Sequence, residues 1–238
     1  MRPEAVATEE HAYGHLALPE AGPSPGVVLI PDVWGVSDLY DRLGGRLAEA
    51  GFAVLQVDPY RRTGRGEFSD PAGAMEFIRQ LSDPLVIETV QEGVDALAAH
   101  PAVAGRKVGV LGFCMGGMYA LHAACGCTGL SAAAAFYGMV RNEAGLDPAK
   151  KPRSALDAIS ELTCPVIGVY GAEDAIIPVQ DARDLEAALA ASPHPAEVHV
   201  YPGAGHAFLN DTRPDAYRPE AAEDAWTKLV PFLRAHLS

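Results

Sequence analysis

The sequence predicts an α/β domain with a doubly wound, mostly parallel sheet, and three observations support this fold class. Short apolar runs alternate with longer amphipathic stretches, which is the pattern of βαβ units. Most of these runs are nearly continuous, as expected for strands covered by helices on both faces. The chain of 238 residues, 49% of them hydrophobic, has no internal repeat, linker or break in composition. We therefore expect one domain over residues 1–238.

Seven strands are predicted, and the first differs from the rest. It alternates apolar and polar residues, so we expect it to lie antiparallel at the N-terminal edge of the sheet. Most of the later strands are apolar throughout, as buried parallel strands are. The predicted strands span residues 12–18, 26–30, 53–57, 107–111, 132–137, 166–170 and 197–201.

Helices are predicted between the strands from their end signals. A Ser-Asp pair at residues 37–38 begins one helix and Gly51 ends it, while Pro84 stands in the first turn of another. The polar, proline-containing segment 141–160 is expected to leave the sheet and lie above it. The predicted helices span residues 37–50, 67–80, 84–100, 115–125, 179–191 and 219–236.

The charge balance excludes several classes of partner. Eighteen Lys and Arg against 31 Asp and Glu give a net charge of −13, which argues against binding a nucleic acid or an anionic membrane. No apolar run reaches the ~18 residues of a membrane span, and residues 4–10 carry acids where a signal peptide is apolar. We therefore expect a cytoplasmic protein with reduced thiols. The cysteines lack metal-ligand spacing and stand at Cys114, Cys125, Cys127 and Cys164.

The segment Gly112-Phe113-Cys114-Met115-Gly116 lies between an apolar run and a predicted helix. Gly-x-Cys-x-Gly is the nucleophile-elbow pattern with cysteine in place of serine. The glycines leave room for a tight, strained turn, and the helix N-terminus favours a thiolate at Cys114. The alternative is a small cysteine buried in a tight turn. A dinucleotide-binding loop does not fit, because Cys114 occupies the position of its second glycine.

Two later loops each carry one titratable residue just beyond a predicted strand. Asp174 follows the strand at 166–170, and His206 follows the strand at 197–201. The C-terminal ends of parallel strands are where such sheets place catalytic groups. Either residue alone could be an ordinary turn acid or surface histidine. Together with Cys114 they give the chain order nucleophile, acid, base, which is the order of α/β-hydrolases.

These motifs resemble the dienelactone hydrolase (carboxymethylenebutenolidase) family of the α/β-hydrolase superfamily. The resemblance rests on Gly-Phe-Cys-Met-Gly-Gly, Gly-Ala-Glu-Asp, Gly-Ala-Gly-His-Ala-Phe and residues 28–36, and it extends from Gly26 to the C-terminus. It implies the α/β-hydrolase fold and hydrolysis of carboxylic esters or enol-lactones. By the resemblance, Cys114 is the nucleophile, His206 the base and Asp174 its orienting acid. The implied oxyanion hole consists of the backbone N–H groups of Met115 and Val33.

Two positions depart from the family pattern. Asp32 stands where the family has a glutamate that acts on the thiol, and Asn210 stands where it has a carboxylate-binding arginine. An amide cannot form the charged fork of an arginine, so we expect dienelactone itself to be a weaker substrate. The shorter side chain of Asp32 should contact the thiol less closely. Alternatively, Asp32 bonds only the N–H groups of its own loop.

The substrate pocket is less defined by the sequence than the catalytic residues are. Arg61, Arg79 and Arg141 are possible replacements for the missing arginine, although each also fits an ordinary surface role. Four bulky side chains near strand ends could wall an apolar acyl pocket, or could equally belong to the core: Trp34, Tyr60, Phe113 and Tyr137.

The sequence thus predicts a hydrolase that uses a Cys-His-Asp triad and a thioester acyl-enzyme, with no metal and no cofactor. It is expected to act on a small ester or lactone as a monomer or small homo-oligomer. One alternative is a thiol-based redox or peroxide-sensing protein using Cys114. That function needs a second thiol close enough to form a disulfide with Cys114. Cys125 lies about three turns further along the same predicted helix, which is too far for direct pairing. A non-catalytic α/β binding module is the other alternative, but it has no need of three catalytic groups.

Overall fold

Eight strands form one sheet in the computed structural model, which describes residues 8–20 and 22–238 of the chain. Their spatial order is β1-β2-β4-β3-β5-β6-β7-β8, and all strands from β3 onward run parallel. The mostly parallel α/β sheet predicted from the sequence is therefore confirmed. The strands are β1 (Thr8–His11), β2 (Gly14–Ala17), β3 (Gly26–Ile30), β4 (Ala53–Val57), β5 (Val108–Phe113), β6 (Leu130–Phe136), β7 (Val166–Gly171) and β8 (Ala196–Tyr201).

The N-terminal edge of the sheet is a hairpin, where the sequence predicted one strand at residues 12–18. β1 and β2 pair antiparallel, and β2 pairs antiparallel with β4. The antiparallel edge is confirmed, but the prediction of a single strand is wrong. The chain turns between His11 and Gly14, and Gly14 has a φ of 146°, which side-chain alternation does not reveal.

Seven α-helices and one short 3₁₀ helix, at Ile159–Glu161, accompany these strands in the described part of the chain. All six predicted helices are present, and the segment 141–160 contains an additional short helix, α5. The helices are α1 (Asp38–Glu49), α2 (Pro71–Gln80), α3 (Asp83–Ala99), α4 (Met115–Gly126), α5 (Ala155–Ala158), α6 (Val179–Ala190) and α7 (Pro219–Leu237). No helix of the described residues is both long enough and apolar enough to cross a lipid bilayer.

The start of α2 shows how a helix cap overrides composition. The sequence predicted a helix from residue 67, but the helix begins at Pro71. The side chain of Asp70 accepts a hydrogen bond of 2.8 Å from the Gly73 N–H, and Pro71 cannot donate to a preceding turn. Residue 68 is therefore left in a loop, where its aromatic ring is available to the neighbouring loops.

The helices cover the sheet on both faces. Residues of α1 and α7 pack in one core cluster, while α3, α4 and α6 pack in the other. Successive residues of β3 alternate between the two clusters, and each is fully buried. This two-sided burial leaves the loops at the C-terminal ends of the strands as the exposed edge of the sheet, where a site can form.

Candidate active site

Cys114 lies in the tight turn between β5 and α4. Its backbone has φ 53° and ψ −117°, a strained conformation for a residue with a side chain. The turn is held by two hydrogen bonds, from the Cys114 N–H to the Phe136 carbonyl at 2.9 Å and from the Met118 N–H to the Cys114 carbonyl at 3.1 Å. The strain is thus enforced by the strands and helix around it, and it presents a half-buried thiol at the edge of the sheet.

The two glycines of the elbow are required by close backbone contacts. A Cβ atom on Gly112 would lie 1.9 Å from the Gly116 carbonyl oxygen, and a Cβ atom on Gly116 would lie 2.2 Å from the Ile30 carbonyl oxygen. Real Cβ atoms do not approach oxygen so closely. The Gly-x-Cys-x-Gly spacing therefore follows from how near the first turn of α4 comes to β3.

His206 and Asp174 are joined across the loops that follow β8 and β7. The Nδ1 atom of His206 lies 2.8 Å from Oδ2 of Asp174, whose side chain is 1% exposed. The other carboxylate oxygen accepts hydrogen bonds from the N–H groups of Ile176 and Ile177, at 2.8 and 2.9 Å. The carboxylate is fixed in position, so it can orient the imidazole and stabilise its protonated form.

The other ring nitrogen of His206, Nε2, is buried and has no hydrogen-bond partner of standard geometry among the described residues. Burial lowers the pKa of His206, but the charge on the Cys114 sulfur and the hydrogen bond to Asp174 together raise it to about 10. The ring of Tyr137 packs edge-on against the imidazole at 5.2 Å. The structure thus brings the predicted nucleophile, base and acid together, with Nε2 open to the thiol.

Asp32 is held mainly by its own loop. Its Oδ1 accepts a hydrogen bond of 2.9 Å from the Trp34 N–H, and the Tyr40 hydroxyl interacts with the same carboxylate. Burial raises the pKa of Asp32, although these two donors and the charge of His206 oppose the rise. Among the described residues, no hydrogen bond joins Asp32 to the sulfur of Cys114. The hydrogen bonds of Asp32 therefore agree with the alternative in which it bonds the N–H groups of its own loop. Its charge still acts on His206.

The two residues implied as oxyanion donors are linked by one tyrosine. The Tyr60 hydroxyl donates to the Val33 carbonyl at 2.6 Å and lies 3.5 Å from the Met115 sulfur. Within the described chain, neither the Val33 nor the Met115 N–H donates a hydrogen bond. Buried N–H groups without partners are rare in proteins. The N–H groups of Val33 and Met115 can therefore donate to a bound oxygen atom.

The four aromatic residues proposed for the pocket wall have different surroundings. Trp34 is 38% exposed and packs against Phe68, with 5.1 Å between ring centroids. Phe113 is fully buried between other rings and belongs to the core below the site. Tyr60 and Tyr137 are buried: Tyr60 bonds the Val33 carbonyl, and Tyr137 packs against the imidazole of His206. Of these four, Trp34 is the residue placed to touch a ligand directly.

A cavity of about 200 Å³ beside the triad was not predicted from the sequence. It is lined by side chains of α2 and α4 and of two further segments, residues 139–151 and 176–181. Lys151 is one of these side chains. These residues are far apart in the chain and follow no motif, so only the fold reveals them. We call it the Met–Ile cavity, after six of its side chains: Met75, Ile78, Met118, Met139, Ile176 and Ile177.

Asn210 lines a separate open groove with Asp32 and Trp34. Its side-chain oxygen is occupied by the N–H and hydroxyl of Thr212, at 3.0 and 2.6 Å. Sequence reasoning missed Arg213, which lines this groove and is bonded to Asp215 at 3.1 Å. The groove therefore holds an arginine three residues beyond the position where one was expected.

The three arginines considered as replacements all make ion pairs. Arg79 bonds both oxygens of Glu143 at 2.8 and 2.9 Å, and Arg141 bonds Asp181 and Asp184 at 3.2 and 2.5 Å. Arg61 lies 3.9 Å from a carboxylate oxygen of Glu92. None of these three guanidinium groups stands free to receive a substrate.

The remaining cysteines and acids form no second reactive centre in the described residues. Burial raises the pKa of Cys125 to about 11 and that of Cys127 to about 12, which keeps both as neutral thiols. No group of three or more His, Cys, Asp or Glu side chains in residues 8–20 and 22–238 is arranged to hold a metal ion.

Comparison with known proteins places the chain in a family. Residues 13–237 match the dienelactone hydrolase family. The chain is 32% identical, over 96% of its length and 91% of the relative's, to a probable 2-oxo-3-(5-oxofuran-2-ylidene)propanoate lactonase of Bradyrhizobium sp. It is 34% identical to a carboxymethylenebutenolidase of Rhodococcus opacus, covering 97% of this chain and 88% of that one.

A solved structure agrees with these sequence matches. The crystal structure of a putative dienelactone hydrolase from Klebsiella pneumoniae superposes with a TM-score of 0.84 at 30% identity, covering 92% of this chain and 91% of that one. The fold is therefore the α/β-hydrolase fold, as the resemblance implied. The chain belongs to the dienelactone hydrolase family and is a hydrolase of carboxylic esters or lactones.

Proposed function

We propose that this hydrolase cleaves its substrates with Cys114 as nucleophile, His206 as base and Asp174 as orienting acid, through a thioester acyl-enzyme. The observation that carries the proposal is the fixed Asp174–His206 hydrogen bond of 2.8 Å, which leaves Nε2 buried and unpaired beside the strained Cys114. A nucleophile, a base and a group that orients the base are the parts that covalent catalysis requires.

In the first half-reaction the Cys114 sulfur attacks the carbonyl carbon, and the proton of the thiol resides on Nε2 of His206. A C–S bond forms while the carbonyl electrons move to oxygen. The N–H groups of Met115 and Val33 stabilise this oxyanion by about 3–4 kcal/mol each. When the intermediate collapses, the C–O bond breaks and the leaving alkoxide or enolate takes the proton from His206.

In the second half-reaction water replaces the leaving group. Nε2 of His206 removes a proton from the water, whose oxygen attacks the thioester carbon. The C–S bond then breaks, the thiolate is restored and the acid product leaves. A thiolate is expelled more readily than a simple alkoxide, so enol-lactones and activated esters are the substrates we propose. The printed names of the Bradyrhizobium and Rhodococcus relatives also describe action on lactones.

We further propose that residues 1–238 act as one cytoplasmic domain, as a monomer or small homo-oligomer. The four free cysteines support a reducing compartment. The redox alternative lacks support, because Cys125 is buried on the far turns of α4 with a raised pKa. The binding-module alternative does not account for the strained Cys114 backbone or the unused N–H groups of Met115 and Val33.

The proposal is tested with Cys114→Ala and the matched variant Cys125→Ala, using 4-nitrophenyl acetate and an enol-lactone. We expect Cys114→Ala to lose at least about a thousandfold in kcat/KM, and Cys125→Ala to retain most of its activity. Mass spectrometry of acid-quenched wild-type enzyme should find the acyl group on the peptide that contains Cys114. Ester turnover by Cys114→Ala at the wild-type rate would overturn the mechanism.

A further inference from the structure

The Met–Ile cavity is lined by residues that hold the proposed triad in place. Met118 lies one turn beyond Cys114 on α4, and its N–H donates to the Cys114 carbonyl at 3.1 Å. On the opposite wall, the N–H groups of Ile176 and Ile177 hold the carboxylate of Asp174. Two walls of the cavity are therefore bonded to the nucleophile and to the acid.

The walls of the cavity suit a carbon chain. The six side chains that define it are methionine and isoleucine, which are apolar, and methionine adapts its shape to a ligand. Polar and charged side chains line the rest of it: Arg79, Arg141, Asn142, Glu143, Asp181 and Lys151, the last with only 2% of its side chain exposed. The cavity therefore joins an apolar surface to a set of charged groups.

The ammonium of Lys151 has hydrogen-bonding capacity to spare. Its one hydrogen-bond partner in the described chain is Oδ1 of Asp83, which also accepts from the Tyr119 hydroxyl at 2.7 Å. An ammonium carries three N–H donors, so two of them have no protein partner. Leaving donors of a buried charge unpaired is unfavourable. An oxygen acceptor in the cavity would satisfy them.

The charges around the cavity select an uncharged acceptor. Asp83 already neutralises Lys151, Glu76 and Glu143 pair with Arg79, and Asp181 and Asp184 pair with Arg141. Five carboxylates thus accompany three cations. A carboxylate on the substrate would add a further negative charge to this region of a chain whose net charge is −13. A carbonyl oxygen could accept from Lys151 without that repulsion.

We propose that the Met–Ile cavity binds the acyl chain of the substrate and that Lys151 selects chains that end in an uncharged oxygen acceptor such as a ketone. This specificity rests on the proposed ester hydrolysis at Cys114. Tyr119, which shares Asp83 with Lys151, lies five residues beyond Cys114 on α4, about 7.5 Å along the helix axis. A chain of about six bonds spans a comparable length, so the proposal is tested with an acceptor oxygen at that distance from the reacting carbonyl.

Three 4-nitrophenyl esters of matched shape test this specificity: 6-oxoheptanoate, 6-methylheptanoate and the monoester of adipate. They place a ketone, a branched alkyl group or a carboxylate at the same distance from the reacting carbonyl. For wild type we expect kcat/KM to be at least tenfold higher for the oxo ester than for either of the others. A preference for the adipate monoester would overturn the choice of an uncharged acceptor.

The variants isolate the ammonium from its structural role. Lys151→Met alone leaves Asp83 buried and unpaired, so it is combined with Asp83→Asn, and thermal unfolding checks that the double variant folds. We expect the oxo-to-methyl ratio to fall at least fivefold in Lys151→Met/Asp83→Asn. Asp83→Asn alone keeps the amine of Lys151, which donates N–H hydrogen bonds whether or not it is charged, and should keep the preference. The matched control is Lys150→Met, since Lys150 is half-buried, does not line the cavity and bonds Gln80.

A binding measurement separates this proposal from the proposed reaction. In Cys114→Ala protein, calorimetric titration with the oxo ester reads binding without turnover, and adding Lys151→Met/Asp83→Asn should weaken it at least fivefold. An unchanged dissociation constant, or an unchanged oxo-to-methyl ratio in the folded double variant, would overturn the role of Lys151. Absence of hydrolysis of all three esters by wild type would instead contradict the proposed function, while the titration still tests Lys151.

Discussion

The triad loops and the Met–Ile cavity lie side by side but are built in different ways. The triad loops are fixed by backbone contacts: Gly116 is pressed against the Ile30 carbonyl, and Asp174 is held by two backbone N–H groups. The cavity is formed by flexible side chains from separate segments. The reaction therefore depends on positions that backbone contacts restrict to particular residues. The choice of substrate depends on side chains that can be substituted more freely.

The largest expected effect comes from Gly116→Ala, which attacks the backbone contact directly. The new Cβ atom would lie 2.2 Å from the Ile30 carbonyl oxygen, so the first turn of α4 must move. We expect a loss of about 1–3 kcal/mol in the free energy of unfolding and no detectable ester hydrolysis. Urea unfolding and the aryl-ester assay measure the two effects.

The control for this prediction is Gly126→Ala, at the end of the same helix. A Cβ atom there meets nothing within 4 Å, so we expect stability and activity close to wild type. If Gly116→Ala behaved like Gly126→Ala, the contrast between rigid loops and an adaptable cavity would be lost.

Asp174→Asn tests the next contact, with a smaller effect on the fold. We expect kcat/KM to fall about a thousandfold, because the amide no longer stabilises the charged imidazole. The pKa of His206 is raised to about 10 in the folded protein, so its contribution to stability is full below about pH 6.5 and is lost as the pH rises towards 10. Urea midpoints at pH 6 and pH 10 should differ less in Asp174→Asn than in wild type.

The neighbouring Glu173→Gln is the matched control for this measurement, since Glu173 is exposed on the same loop. It should keep both the activity and the pH dependence of wild type. Equal pH dependence in wild type and Asp174→Asn would mean that the carboxylate does not stabilise the imidazolium.

The smallest expected effect concerns Asp32, in the loop after β3. Its carboxylate is held by the Trp34 N–H at 2.9 Å, so it acts on the thiol only through its charge. We expect the pH midpoint of iodoacetamide labelling of Cys114 to rise in Asp32→Glu and to fall in Asp32→Asn, by less than one pH unit each. Identical labelling profiles in all three proteins would leave Asp32 with a purely structural role in its loop.

The same contrast explains what could be predicted from the sequence. Cys114, Asp174 and His206 each follow a strand inside a short motif, so their neighbourhood in the chain was sufficient to identify them. The bounds of the later strands were predicted to within two residues, because continuous apolar runs mark buried parallel strands. The hairpin at Gly14 was missed, since one glycine turn inside an alternating segment leaves the alternation intact.

The cavity could not be predicted, because contacts distant in the chain create it. Lys151 is one of several charges in a polar segment, and nothing near it in the sequence indicates that Asp83 and Tyr119 will bury it. Arg79 and Arg141 were considered as ligand-binding groups for the same reason. Three of their carboxylate partners, Glu143, Asp181 and Asp184, lie 40 to 64 residues away, and only the folded chain brings them together.

The Tyr60 hydroxyl, which bonds the Val33 carbonyl and reaches the Met115 sulfur, has a consequence for motion. Val33 belongs to the loop after β3, and Met115 begins α4, whose first turn also contacts the end of β3 through Gly116. A shared buried hydroxyl makes them move together. The distance between the two N–H groups then varies less than the position of either group. Less conformational entropy is therefore lost when an oxyanion binds.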